Sequence, residues 1–205
     1  RGPWYDAADL ACAGLGIGLA VSSVRLFANA SAVLTLCAVA LGAWGLASAL
    51  RRSHIPGWLA DTLHVGVGLM LILVIAAPTH RWAVLPTPQS VQAVVDAIGD
   101  DFGRFDKDVA PLVAGTGHLV VMVALVWILG LFNSTGAMRL RAPVQAVVPH
   151  LVAFVGLGFV ARNEGRLVAS VAMLTSVGLY ALTQVAWRNA AHRWVPGRSN
   201  VPARS

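Results

Sequence analysis

Two histidines and one aspartate are the residues whose types and spacing are best suited to chemistry in this chain. Asp61 and His64 lie one helical turn apart in one apolar run, and His150 lies near the start of another. Ionisable side chains are costly at membrane depth and are functional candidates by default. They can relay protons or bind a polar substrate, and two facing helical histidines can ligate a haem iron. A structural, hydrogen-bonding role stays open, because each lies close to an expected span end.

The other reactive residue types form no catalytic or metal-binding pattern. Five aspartates between Asp96 and Asp108 lack the alternating oxygen ligands and the distant glutamate of a calcium loop. Cys12 and Cys37 fall inside apolar runs, without the spacing of a zinc site and without a partnered outer histidine as a base. We therefore predict no catalytic residue, no metal site and no cofactor in this chain.

The elements that must position these residues are membrane-spanning helices. Of the 205 residues, 57% are hydrophobic and only 12% are charged, about half the charged share of a soluble domain. This composition excludes a disordered chain, a collagen-like fibre and an ordinary water-soluble enzyme. Six apolar runs approach the roughly 20 residues that a spanning helix needs. They are residues 6–27, 31–50, 58–77, 115–132, 146–160 and 167–187.

The predicted fold is an all-α membrane protein, a bundle of six transmembrane helices with one outer helix between spans 3 and 4. We assign residues 1–194 to a single six-span domain and residues 195–205 to a polar cytoplasmic tail or the start of a linker. The outer helix is expected at about residues 88–106, where Thr87 can cap a helix that Pro88 opens. Its apolar residues recur at helical spacing and predict an amphipathic helix on the membrane surface or on the bundle. They are Val91, Val94, Val95, Ile98, Phe102 and Phe105.

Basic residues indicate the orientation of the bundle, since cytoplasmic loops are enriched in them. With the first end inside, the inner segments hold nine basic and three acidic residues, whereas the outer segments hold six of each. The whole net charge of +6 then lies on one side. We therefore predict a multi-pass protein of the plasma (inner) membrane with both ends of this chain in the cytoplasm. The basic charge is an orientation signal, so no nucleic-acid partner is expected.

Small residues in the first span indicate a helix-packing face. Gly14, Gly18 and Ser22 recur at four-residue spacing, which lets two helix backbones approach closely. Ala38 and Gly42 of the second span are candidates to meet this face. The same spacing also arises because glycine is frequent in membrane helices, and the sequence does not decide between the two explanations.

From the outer helix onward the chain resembles a known family. The segments that carry the resemblance are Leu85-Pro86-Thr87-Pro88-Gln89-Ser90, Met138-Arg139-Leu140-Arg141-Ala142-Pro143, Val148-Pro149-His150-Leu151, and the end of the sixth span with Arg188, Arg193 and Trp194. Their order over residues 85–195 is similar to the N-terminal membrane region of bacterial, particularly actinobacterial, transglutaminase-like membrane proteins. The resemblance implies that the membrane bundle anchors an extracytoplasmic papain-like domain with a Cys-His-Asp triad. No residue here matches that triad, so any such activity would lie beyond residue 205.

Two functions from different classes follow from the sequence. The first is a non-catalytic membrane domain that anchors or scaffolds a transglutaminase-like envelope protein or a larger membrane complex. Its partners would be the lipid bilayer and other membrane or envelope subunits. The second is a small transporter or electron-transfer subunit that uses Asp61, His64 and His150.

Overall fold

Long helices make up nearly all of the structure. The computed structural model describes residues 3–76, 81–82, 85–103, 113–160 and 164–193. Two short strands, β1 (Arg81–Trp82) and β2 (Leu85–Pro86), pair antiparallel. A 3₁₀ turn (Ser23–Arg25) follows the first helix, and a π-helical turn (Thr135–Arg139) extends the fifth. The helices are α1 (Pro3–Ser22), α2 (Ala30–Arg52), α3 (Gly57–Ala76), α4 (Pro88–Phe102), α5 (Thr116–Ser134), α6 (Pro143–Val160) and α7 (Arg166–Arg193).

Six of the described helices are long and apolar enough to cross a membrane, which confirms the predicted all-α membrane bundle. They are α1, α2, α3, α5, α6 and α7. The fourth span, α5 with its π-helical turn, continues to Arg139, past the predicted end at residue 132. The polar run that ends the hydrophobic pattern stays helical, and its residues Asn133 and Ser134 are buried inside the bundle. The predicted tail at 195–205 lies outside the described residues.

The bundle is organised around α1 and α5, whose faces are the most buried of the six spans. α1 packs mainly on α7 and also on α2, while α5 packs on α2, α3 and α4. The main core fills the space between α1, α2 and α5 with residues such as Leu19, Leu36 and Val126. α3 and α6 expose most of their apolar surface. In a membrane this surface contacts the lipid bilayer.

The packing face of α1 meets α7 rather than the second span. Gly18 lies against Ser176 of α7, so closely that an added Cβ would come within 2.5 Å of the Ser176 Oγ. Ser22 donates from its hydroxyl to the Ala169 carbonyl of α7 at 3.4 Å. Gly14, by contrast, has open space around it.

The suggested partners of that face on α2 have other surroundings. Ala38 is exposed, and Gly42 lies beside Trp127 of α5. α2 instead approaches α1 where Gly16 lies against Ala40. The predicted contact with Ala38 and Gly42 is therefore wrong, because the four-residue spacing marks a face that permits close approach without saying which helix approaches.

The outer helix α4 forms as predicted and docks on the bundle. The Thr87 hydroxyl accepts a hydrogen bond from the Ser90 amide, and the Ser90 hydroxyl accepts one from the Thr87 amide, which makes a capping box. α4 contacts α5 and α3. Val94 and Ile98 are half-buried, whereas Val91, Val95 and Phe102 are exposed. Phe105 lies outside the described residues.

The docking of α4 also caps α5. The Asp101 carboxylate accepts hydrogen bonds from the backbone amides of Gly117 (2.7 Å) and His118 (3.2 Å). Amides in the first turn of a helix have no partner within the helix, so a carboxylate there satisfies them and complements the helix dipole. Gly117 lacks a Cβ where the Ala97 backbone approaches most closely.

One end of the bundle gathers Arg51, Arg52, Arg139, Arg141 and Arg188, and we call it the arginine end. Arg52 reaches Asp6 of α1, Arg139 reaches Gly57 of α3, and Arg188 reaches Arg141. These contacts join the α2–α3 and α5–α6 connections to the two terminal helices. The clustering agrees with the segregation of charge that the sequence indicates.

Candidate functional site

A small polar cavity lies between α2, α3 and α5 at the arginine end. Its volume is about 10 Å³, which is near the minimum that holds one water molecule. The polar residues that line it are Arg51, Asp61, His64, Ser134, Thr135 and Arg139. Two of the three residues singled out by the sequence, Asp61 and His64, thus meet at one site.

The α2 side of the cavity is built on a buried ion pair with α1. The Asp9 side chain is 1% exposed and pairs with the Arg51 guanidinium, whose side chain is 7% exposed. Asp9 also accepts hydrogen bonds from the Ser48 hydroxyl (2.7 Å) and the Trp44 indole nitrogen (3.2 Å). A buried charge is tolerated when it is both paired and hydrogen-bonded, and Asp9 meets both conditions.

The α3 side carries a second ion pair, which is more exposed. The Arg139 Nη1 donates to both carboxylate oxygens of Asp61, at 3.0 and 3.1 Å, and to the Gly57 carbonyl at 3.2 Å. Arg139 ends the π-helical turn, and such turns are frequent at functional sites. The pair joins α3 to the end of α5.

His64 closes the cavity from within the bundle. It is 1% exposed, and its ring lies 4.9 Å from the Trp127 ring between centroids. The Trp127 indole donates to the His64 carbonyl at 2.9 Å. Trp127 fits there because Gly68 has no Cβ, which would come within 2.4 Å of the indole. Neither His64 ring nitrogen has a hydrogen-bond partner among the described residues.

His150 does not join this site. It lies on α6, fully buried, and its Nδ1 donates to the Ala146 carbonyl one turn earlier at 3.0 Å. Ala146 packs in a separate apolar cluster with residues such as Leu15 and Tyr180. The structure therefore brings Asp61 and His64 together at this cavity, while His150 is not among the residues that line it.

Within the described residues no group of three histidine, cysteine, aspartate or glutamate side chains is close enough to hold a metal ion. The cavity instead offers two arginine donors, two hydroxyls and a histidine around a space for one small polar molecule. The two ion pairs balance their own charges. The arrangement holds α1 to α2 and α3 to the end of α5.

Sequence reasoning missed Asp9, Arg51 and Arg139 as members of the site, because they were counted only as charges on the inner side of the membrane. A signal was present for one of them. Asp9 lies on the same helical stripe as Cys12 and Gly16, one and two turns later, and such a position faces the bundle. The partners were not predictable, since Asp9 and Arg51 are 42 residues apart in sequence.

Comparison of the chain with family models, with curated proteins and with solved structures finds no match in any of the three.

Proposed function

We propose that the chain is a non-catalytic membrane domain that anchors or scaffolds a larger protein of the cell envelope. The observation that carries this proposal is how the carboxylates of Asp9 and Asp61 are used at the arginine end. Asp9 binds three side chains of α2, and Asp61 binds Arg139 at the end of α5. Each carboxylate therefore fixes one helix to another, which suits a domain whose task is to hold its shape in the bilayer.

The anchored protein is of the transglutaminase-like kind in this proposal. Support comes from the segments at residues 85–90, 138–143 and 148–151, which resemble the membrane region of that family. In the structure the first of these segments opens α4, and the other two flank the start of α6. The catalytic domain would follow the bundle, outside the cytoplasm, after one further span.

Determination of the reading frame beyond residue 205 tests the transglutaminase-like assignment. The expected result is a seventh apolar span followed by a soluble domain that carries cysteine, histidine and aspartate. A stop codon directly after residue 205 would overturn that assignment and leave an accessory membrane subunit. A following domain of another kind would retain the anchor and reject the family.

The proposal also places the protein in the plasma membrane with both ends of this chain in the cytoplasm. The arginine end supports this orientation, because it gathers five arginines from three connected regions of the chain. Other envelope subunits would contact the exposed apolar faces of α3 and α6.

A second candidate function is a small transporter or electron-transfer subunit. It is favoured by one observation, the buried His64 ring at a cavity that also contains Asp61. The redox group considered for the electron-transfer form is a haem held by two facing histidines, which has a strong Soret band in the visible spectrum. The cavity at His64, with a volume of about 10 Å³ and without His150, does not fit a haem. A Soret band in the purified protein that is lost in His64→Ala supports electron transfer, whereas a colourless protein rejects haem.

A further inference from the structure

α6 and α7 are tied together at the arginine end and enclose an apolar groove. The Tyr180 hydroxyl donates to the Pro143 carbonyl at 3.2 Å, and the Arg188 guanidinium donates to the Arg141 carbonyl. The groove has a volume of about 340 Å³. Its walls are mostly valine, leucine and alanine side chains from both helices, including Val147, Leu151, Val177 and Ala181.

Gln184 contributes a buried polar side chain to the wall of this hydrocarbon groove. Gln184 lines it and is 3% exposed, and neither its amide nitrogen nor its amide oxygen has a hydrogen-bond partner among the described residues. A buried amide without partners is destabilising, because it loses its hydrogen bonds to water and gains none in return. An occupant of the groove with a hydrogen-bonding group at the depth of Gln184 would give this amide the partner that it lacks.

The mouth of the groove is positively charged. Arg188 lies one helical turn beyond Gln184, about 6 Å further along α7, and lines the groove. Arg141 lies opposite, exposed, with a left-handed backbone (φ 54°) that is unusual outside glycine. Its carbonyl accepts the hydrogen bond from Arg188, so this contact holds the two arginines at one mouth.

We propose that this groove is a binding site for an anionic phospholipid. Along one face of α7 the chemistry changes from guanidinium at Arg188, to amide at Gln184, to hydrocarbon at Val177. A phospholipid has the same order of phosphate, ester and acyl chain. The phosphate binds between Arg141 and Arg188, an ester or glycerol oxygen binds the Gln184 amide, and one acyl chain fills the groove. Basic pockets between spanning helices are known binding sites for acidic lipid headgroups.

Native mass spectrometry and thermal unfolding of the purified chain test this site with two lipids that have the same acyl chains. The wild-type protein is expected to retain phosphatidylglycerol and to be stabilised by it more than by phosphatidylcholine. Arg188→Gln is expected to lower the affinity for phosphatidylglycerol about fivefold, with little effect on phosphatidylcholine. Arg166→Gln, at the opposite end of α7, is the matched control and should leave both affinities unchanged.

Gln184→Leu separates the amide from the charge. In detergent without lipid this variant is expected to unfold at or above the wild-type temperature, since it removes a buried amide that lacks partners. It should bind both lipids more weakly while it keeps the preference for phosphatidylglycerol. This pair of results does not arise from a variant that is merely misfolded.

Three outcomes would overturn the proposal. Equal effects of Arg188→Gln and Arg166→Gln would show a general attraction of charge rather than a site. Stabilisation by inorganic phosphate equal to that by phosphatidylglycerol would show an ion site without an acyl chain. A change of oligomeric mass in Gln184→Leu, with lipid retention unaltered, would show that the groove receives a partner helix.

Discussion

Asp9, a buried acidic side chain at the arginine end, has three polar side chains of α2 as partners. Its two oxygens accept from Trp44, Ser48 and Arg51, all on α2. A buried carboxylate loses its hydrogen bonds to water, and these three contacts replace them. Asp6, by contrast, pairs with Arg52 at 3.3 Å with both side chains more than half exposed. The two aspartates therefore provide a matched comparison of buried and exposed charge.

Asp9→Asn is expected to lower the free energy of unfolding by about 3–5 kcal/mol, because Arg51 is left buried without its counter-charge. Unfolding in mixed micelles of increasing SDS content measures this loss. Asp6→Asn is the control, with an expected loss of about 0–1 kcal/mol for an exposed pair. Equal losses in the two variants would show that the burial of Asp9 has no energetic consequence.

The sequence predicted the site in part, for a physical reason. Hydropathy shows that Asp61 and His64 lie in a spanning helix, and ionisable groups there are rare enough to attract attention. Hydropathy says nothing about partners. The counter-charge of Asp61 is Arg139, 78 residues away, and it depends on a π-helical turn that no local pattern indicated. His150 shares the residue type of His64 but lies on α6 and is not among the residues that line the cavity.

At the scale of elements, α1 determines how the bundle packs. It contacts α7 more extensively than any other helix. The two helices approach closely at Gly18, and α7 presents the small residues Ala169, Ala172 and Ser176 to this face of α1. Close packing of small residues is the main source of helix association in membranes, where lipid chains are as apolar as leucine.

Gly18→Ala is expected to lower the free energy of unfolding by about 1–3 kcal/mol, since the new Cβ would overlap Ser176 and force α1 away from α7. Gly14→Ala has open space and should be neutral or slightly stabilising, because alanine favours helix. SDS-induced unfolding of the two variants gives the comparison. A Gly14→Ala loss as large as that of Gly18→Ala would contradict the assignment of this contact.

The number and type of the elements were predictable, whereas their neighbours were not. Length and hydrophobicity define a spanning helix locally, and Thr87 and Pro88 define the start of α4 in the same local way. The choice of α7 rather than α2 as the partner of Gly18 depends on residues about 150 positions away in the sequence. Small residues occur on many faces of these helices, so composition does not select one.

For the whole molecule, the separation of charge between the two ends predicts on which side of the membrane each connection lies. The α2–α3 connection, with Ser53, belongs to the arginine end, and the α6–α7 connection, with Glu164, belongs to the opposite end. If the arginine end lies in the cytoplasm, these two exposed positions are on opposite sides of the membrane.

Labelling of single cysteines in intact cells checks this orientation. In a background with Cys12→Ala and Cys37→Ala, a membrane-impermeant maleimide is expected to label Glu164→Cys in intact cells. Ser53→Cys should be labelled only after permeabilisation. Labelling of Ser53→Cys in intact cells would reverse the orientation, and labelling of both would show that the six helices do not all span.

We expect the ion pairs at the arginine end, Asp9 with Arg51 and Asp61 with Arg139, to hold helices together and not to move protons. Proton flux into liposomes, followed by a trapped pH-sensitive dye under an imposed potassium potential, tests it when combined with SDS-induced unfolding. We predict that the wild-type protein gives no flux above protein-free liposomes and that Asp61→Asn lowers the free energy of unfolding by about 1 kcal/mol. A wild-type flux that Asp61→Asn abolishes, with stability unchanged, would contradict the claim.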